Sequence, residues 1–357
     1  MAVTQHYRFA REIVATARRS QVPDVAWSPD GNLLAASYTD LDEVALLDAR
    51  SGEVQRRYCN PQARFDAPHG VLLTERHLIV SNKLNPADRP AVFTVYDLQD
   101  PGLAPVTRFT TPRQDFCEAH SMALRDERLV CTYAGRGTSA LACYRFDRAS
   151  GRLSGPLAVV QDWFRGYGQP KGVAFSDDGC TLAVTFATTR AARTTLAHKW
   201  QRYTWVLRQK SGLKRLRAAL RKRLRRALAP PPPNGVTNGV ALFDIDSGGQ
   251  IAATPRQIVL QPDYCRLENI HIVGQTCAVT DTINQRVMLF GFDGELSTQP
   301  TQVISERLSF PHDACLSPNG RCLLVSNNGL RIVNNVPHWH EFTDQRGDKV
   351  CVFELGD

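Results

Sequence analysis

The sequence predicts an all-β fold, a six-bladed β-propeller closed into one ring. Six times along the 357 residues a short apolar run opens on a polar residue: Pro23-Asp24-Val25, Pro68-His69-Gly70, Ala119-His120-Ser121, Pro170-Lys171-Gly172, Leu267-Glu268-Asn269 and Pro311-His312-Asp313. A tight turn and two further apolar runs follow each opening. The starts fall near residues 23, 68, 119, 170, 267 and 311, with one long interval between 170 and 267. Repeats of about 40 to 50 residues built from four short strands signal propeller blades.

The elements of each repeat follow in order. Strand A is the opening run. Turns such as Ser28-Pro29-Asp30-Gly31, Ser176-Asp177-Asp178-Gly179 and Ser317-Pro318-Asn319-Gly320 carry the Gly and Pro chemistry of a hairpin. Strand B is short and apolar: Leu33–Ser37, Leu78–Ser81, Leu129–Thr132, Leu182–Thr185, Cys277–Thr280 and Cys322–Ser326. Strand C tends to end in Asp: Val44–Asp48, Val92–Asp97, Leu141–Asp147, Val240–Asp244, Val287–Asp293, with Val350–Glu354 closing the series. Strand D is more polar, as in Val54–Tyr58 and Gln302–Ile304. The last repeat stops after strand C, so its strand D is expected from the N-terminus, Tyr7–Ala15. That exchange seals the ring and leaves only short edges.

The long interval holds a basic insert, residues 187–236, within a single domain spanning 1–357. The formal net charge is +8. Residues 190–230 contain 14 Lys or Arg and no Asp or Glu, so the remaining 29 basic and 35 acidic residues sum to −6. The basic charge is local. The insert begins with Lys199, Trp200, Arg202, Tyr203 and Trp205. Leu213, Leu216, Leu220, Leu224 and Leu228 then recur at helical spacing among Lys214, Arg215, Arg217, Arg221, Lys222, Arg223 and Arg225. Pro230–Pro233 ends the run. One apolar stripe, dense positive charge and flanking Trp predict an amphipathic helix lying on an anionic membrane surface. A protein partner is the competing occupant. The acidic remainder of the chain argues against nucleic acid.

The segment Thr280-Asp281-Thr282-Ile283-Asn284-Gln285-Arg286-Val287-Met288-Leu289-Phe290 resembles an NHL-type repeat, in which an Asp-Thr turn precedes an Asn-x-Arg-hydrophobic strand. The Ser-Pro-Asp-Gly and Ser-Pro-Asn-Gly turns are similar to those of gluconolactonase-like and YVTN-type propellers. The resemblance spans almost the whole chain and implies the fold. Propellers host hydrolases, lyases, oxidoreductases and scaffolds, so it leaves the function open. Six-bladed peptide-amidating lyases have axial histidines, the case this chain resembles most. Gluconolactonases use Glu, Asn and Asp ligands, which Glu268, Asn269 and Asp313 could imitate without the flanking motifs of that family.

Strand A lines the channel of a propeller, so the six polar residues should converge at one axial mouth. They are His69, His120 and His312, the carboxylates Asp24 and Glu268, and the ammonium of Lys171. Neutral imidazoles beside a carboxylate suit a divalent metal such as Zn²⁺, Fe²⁺ or Mn²⁺. The three histidines are the expected ligands. Glu268 is expected as fourth ligand or general base, and Lys171 as a stabiliser of developing negative charge, with Asp24 completing the catalytic set. Lys171 opposes a metal unless Asp24 or Glu268 pairs with it. A wet channel lined by hydrogen-bonded polar groups is the plain alternative. His271 reads as a strand residue. His338 and His340 lie in a long rim loop, Asn328–Gly347, on the same face.

No Gly-x-Ser-x-Gly, phosphate-binding loop or dinucleotide fingerprint occurs. No apolar run is long enough to cross a bilayer, and Met1–Phe9 lacks an apolar signal core. The ten cysteines are scattered without a Cys-x-x-Cys pair and read as reduced, buried thiols. The expectation is a cytoplasmic, peripherally membrane-bound protein with a metal-dependent hydrolase, lactonase or lyase site for a small or lipid-linked substrate. The competing expectation is a non-catalytic scaffold that binds a protein partner and is tethered by the basic helix.

Overall fold

The computed structural model describes residues 6–16, 20–82, 90–134, 139–187, 238–261, 263–333, 336–342 and 349–356. Six four-stranded antiparallel sheets stand around one axis. Blade 1 runs Val25–Trp27, Leu33–Tyr38, Glu43–Asp48 and Val54–Cys59. Blade 2 runs Pro68–Leu73, His77–Asn82, Val92–Asp97 and Thr107–Thr110. Blade 3 is Ala119–Arg125, Arg128–Tyr133, Ala140–Asp147 and Arg152–Val160; blade 4 is Gln169–Phe175, Thr181–Ala187, Asn238–Asp244 and Gln257–Leu260. Blade 5 is Leu267–Val273, Thr276–Asp281, Arg286–Gly291 and Gln302–Ile304.

Blade 6 takes strands from both ends of the chain. Pro311–Leu316, Cys322–Asn327 and Lys349–Leu355 are its strands A, B and C, and Tyr7–Ile13 pairs antiparallel with Lys349–Leu355. Each seam between neighbouring blades holds its own apolar core. Val80 and Tyr96 of blade 2 pack with Ala35 and Leu46 of blade 1, and Phe93 packs with Met122 and Leu129 of blade 3. The seam between blades 6 and 1 joins Ile13, Leu324 and Val352 to Leu34 and Leu47. Burial of apolar area on both faces of every sheet is therefore the closing force, worth roughly 25 cal/mol per Å².

Two details depart from the sequence reading. The rim loop of blade 6 contains a two-stranded ladder, Leu330–Val333 with Val336–Phe342, because Val, Ile and Trp there favour extended pairing. His338 and His340 lie on its second strand. A short helix, Asp162–Tyr167, links blades 3 and 4, with Trp163 against Phe186 and Phe243. The basic insert, including Trp200, Trp205 and the Leu216–Leu224 stripe, lies outside the described residues. Among the described residues no helix is long and apolar enough to cross a membrane.

Ile13, on the N-terminal strand that pairs with Lys349–Leu355, is 4% exposed, whereas neighbouring Val14 is 57% exposed. Ile13→Ala should therefore cost about 2–4 kcal/mol in urea unfolding, and Val14→Ala less than about 0.5 kcal/mol. Equal effects would show that the strand does not seal the seam.

Candidate functional site

Strand A starts with a bulge in blades 2 to 6. In blade 2, Pro68 pairs with Asn82 and Val71 with Val80, so one extra residue sits opposite strand B. The same slip occurs in blades 3, 4, 5 and 6. A bulge breaks the ladder and re-aims side chains. The amide it strands is taken by a hydroxyl from strand B of the same blade. Gly70 N–H donates to Ser81 Oγ at 2.9 Å, Ser121 to Thr132 Oγ1 at 3.0 Å and Gly172 to Thr185 Oγ1 at 2.7 Å. Asn269 donates to Thr280 Oγ1 at 2.8 Å and Asp313 to Ser326 Oγ at 2.9 Å.

This register stacks two rows of residues on the axis. The outer row is Pro23, His69, His120, Lys171, Glu268 and His312. The inner row is Asp24, Gly70, Ser121, Gly172, Asn269 and Asp313. Asp24 was expected in the outer row. Blade 1 lacks the bulge, with Val25 already paired to Ala36, so Pro23 takes the outer position and Asp24 falls one residue deeper. His312 Nδ1 confirms the alignment by bonding Pro23 O at 2.8 Å, as His69 Nδ1 bonds His120 O at 2.9 Å.

The outer row converges. Ring centroids are 4.6 Å apart for His69–His120, 5.1 Å for His69–His312 and 5.5 Å for His120–His312. Their candidate ligand nitrogens lie within 4.8 Å of one another, and all three side chains are buried. Donors around a tetrahedral ion with bonds of about 2.1 Å sit roughly 3.4 Å apart, a spacing within the 4.8 Å limit of the cluster. The carbonyls on Nδ1 of His69 and His312 can only accept, so each Nδ1 carries the proton. Each neutral ring then presents its lone pair at Nε2, the outer-sphere pattern of metal-binding histidines. The donor set thus fits a divalent ion.

Glu268 sits beside the cluster with no exposure. Its Oε2 is 3.0 Å from His120 Nε2, 3.7 Å from Lys171 Nζ and 3.9 Å from His312 Nε2. Its Oε1 accepts from Arg266 Nε. Burial alone would raise its pKa, but Arg266, Lys171 and His120 outweigh it and hold the carboxyl well below its usual range. Opposite unit charges about 4 Å apart attract by about 4 kcal/mol at an effective dielectric near 20. Lys171 is therefore paired, and its objection to a metal is met. A carboxylate held so low is a poor proton acceptor, which favours Glu268 as ligand or anchor over general base. Arg266 belongs to the site and was missed, because it lies two residues before the repeated polar position.

The inner row makes a floor. Asn269 Nδ2 donates to Asp313 Oδ1 at 2.5 Å and Asp24 Oδ1 at 3.4 Å, while Ser121 Oγ donates to Asn269 Oδ1 at 3.2 Å. Val71 N–H donates to Asp24 Oδ2 and Val25 N–H to Asp313 Oδ2. These bonds join blades 1, 2, 3, 5 and 6 across the axis. Gly172 admits blade 4, since a Cβ there would lie 2.5 Å from Asn269 Cα. Burial raises both carboxyls, Asp313 to about 6 and Asp24 well above its usual value, the latter also by the nearby Asp313 charge. Two buried carboxyls this close disfavour a double negative charge, so Asp24 serves the floor. His271 lies apart: its Nδ1 accepts Leu316 N–H at 3.2 Å, and burial lowers its pKa to about 4.

No known protein family and no curated protein matches the chain by sequence. Among solved structures it is similar to the PQQ-bound aldose sugar dehydrogenase of Streptomyces coelicolor, at 13% identity over 99% of each chain with a TM-score of 0.58. It is similar to hydrazine synthase of Kuenenia stuttgartiensis, at 16% identity over 85% of this chain and 80% of the other, TM-score 0.54. A functionally unknown protein from Desulfotomaculum acetoxidans matches at 12% identity over 91% and 86%, TM-score 0.55. At these identities the likeness shows the propeller fold alone.

The carboxyl pair gives a signed pH dependence. Both groups bind protons more tightly folded than the roughly 3.9 of an unfolded Asp. Their stabilisation is full below about pH 4 and is lost as pH rises through about 6 for Asp313 and through the raised pKa of Asp24. Asp24→Asn mimics the protonated partner and should flatten that loss, by at most about 1.4 kcal/mol per pH unit. Urea unfolding of both proteins between about pH 5 and about pH 8 measures it; parallel curves would contradict the shared proton.

Proposed function

We propose that the chain is a metal-dependent enzyme whose active site is the outer axial row. The observation that carries this is the convergence of three buried imidazoles, two of them with Nδ1–H fixed on a carbonyl of the next blade. His69, His120 and His312 hold a divalent ion, Zn²⁺, Fe²⁺ or Mn²⁺, and Glu268 is the fourth ligand or the carboxylate that orients His120. When bound, the ion supplies Lewis-acid chemistry and a nucleophilic water near neutral pH. The chain's own groups do the rest. Lys171 and Arg266 offset negative charge that develops on a substrate oxygen, as electrostatic stabilisation requires. The floor of Asn269, Asp24 and Asp313 keeps the cluster rigid from below. Hydrolase, lactonase or lyase chemistry is the class these parts suit.

The membrane-binding role of the insert belongs to the same proposal. Its support is the sequence: leucines at helical spacing among 14 basic residues, with Trp200 and Trp205 nearby. Its flanks, Ala187 and Asn238, pair with each other at the mouth end of blade 4, where Ala187 also pairs with Gln169. A bound anionic surface would face the axial mouth and favour a lipid-linked substrate. Each basic residue near such a surface is worth about 1 kcal/mol.

Two measurements test these claims. The purified chain should bind about one equivalent of metal. Metal at about 100 times its Kd should stabilise the chain by about 2.7 kcal/mol, an increment a chelator removes. His120→Ala should lose both; a folded wild type that takes up no ion ends the metalloenzyme reading. The full chain should float with phosphatidylserine vesicles, and a chain lacking 190–233 should not. Equal flotation of the two contradicts the membrane role.

A further inference from the structure

The three axial histidines are spread unevenly around the ring. His69 stands in blade 2, His120 in blade 3 and His312 in blade 6. Among the described residues, blade 6 alone joins strands from the two ends of the chain. Its order is Tyr7–Ile13, Lys349–Leu355, Cys322–Asn327 and Pro311–Leu316, whereas in blades 1 to 5 each strand pairs with its chain neighbour. The ladder from Tyr7–Leu355 to Ile13–Val350 therefore closes the longest loop in the molecule. The entropy cost of closing a loop rises with its length, and terminal strands are where local opening is cheapest.

The axial contacts between blades 6 and 1 gather around His312. Its Nδ1 donates to Pro23 O at 2.8 Å. Next to it, Asp313 Oδ2 accepts Val25 N–H at 3.1 Å, and Cys315 O accepts Trp27 Nε1–H at 3.2 Å. Farther out, Gln302 of blade 5 bonds both backbone groups of Tyr7, at 2.9 Å and 2.8 Å, and Lys349 Nζ meets Glu12 Oε2 at 2.8 Å. These bonds the protein makes by itself. An ion would add a tie of another kind. The His312 ring lies 5.1 Å from that of His69 and 5.5 Å from that of His120. An ion shared by the three links blade 6 directly to blades 2 and 3.

We propose that the ladder of Tyr7–Ile13 with Lys349–Leu355 is the closing joint of the ring, and that the axial ion latches it. Metal uptake and docking of the N-terminal strand are then one coupled equilibrium. An opening that carries His312 away from Pro23 also carries it away from His69 and His120. It removes the third ligand and the carbonyl that holds that ligand's proton on Nδ1. A site reduced to two imidazoles binds more weakly, and this difference in affinity is what lets the ion favour the closed ring. The inference rests on the metal-centre reading for the ion itself.

The test is hydrogen exchange of the full-length chain, read by mass spectrometry with chelator and with Zn²⁺ at about 100 times its Kd. Zinc uptake is measured on the same samples. With chelator, Tyr7–Ile13 and Lys349–Leu355 should exchange at least about tenfold faster than Thr181–Ala187 and Asn238–Asp244, the central strands of blade 4. An ion confined to the closed form suppresses opening by up to about 100-fold at that concentration, so Zn²⁺ should narrow the gap by about tenfold or more. His312→Ala leaves ligands from blades 2 and 3 only, and saturating Zn²⁺ should not narrow its gap. If that variant does not fold, the wild-type comparison decides alone. Zinc uptake with an unchanged gap, a gap narrowed equally in His312→Ala, or no gap in the chelated chain overturns the latch and retains the metal centre. Absence of uptake ends both.

Discussion

The structure depends on a single backbone device, the bulge at the start of strand A. It leaves one amide without a ladder partner, and an unpaired buried N–H costs on the order of 1–3 kcal/mol. A Ser or Thr at the end of strand B supplies the missing acceptor in blades 2 to 6. The extra residue then has nowhere to turn but the axis. Hydroxyls also clamp the next blade: Ser37 Oγ donates to His69 O at 2.7 Å, Thr132 Oγ1 to Lys171 O at 2.6 Å and Thr280 Oγ1 to His312 O at 3.2 Å. One small side chain thus repairs its own blade and positions a site residue in the neighbour. The seams supply the stability; this device supplies the geometry.

The two axial rows divide the electrostatic work. The outer row concentrates cations and imidazoles around one fully ionised carboxylate. The inner row concentrates carboxyls and avoids a double charge by sharing a proton between Asp24 and Asp313, as two buried acids in contact must. The first arrangement gathers unlike charges around one buried carboxylate. The second is internally satisfied and cross-braces the blades. The two rows are therefore separated by a single residue along each strand.

Much of this was legible in the sequence. The six openings gave the blade number, and strand B could be read to end in Ser or Thr in every repeat, from Ser37 to Ser326. His69, His120, His312, Lys171 and Glu268 were identifiable because they share a repeat position. Asp24 was misplaced because proline looked like a fixed marker; Pro23 aligns with His69, not with Pro68, once the missing bulge of blade 1 is counted. Arg266 was hidden because no repeat signal marks its row, where Ala67, Gln169 and Phe310 are chemically unrelated. The hairpin carrying His338 and His340 was hidden by its length, which reads as a loop when only blade strands are sought.

The central claim is that the axial histidines form a metal centre. Anomalous diffraction from crystals of the full chain grown with Zn²⁺ tests it most directly. The account predicts one anomalous peak on the propeller axis, about 2.0–2.1 Å from a nitrogen of each of His69, His120 and His312. An axis without a peak, with the three imidazoles bonded only to water and to Glu268, would contradict it.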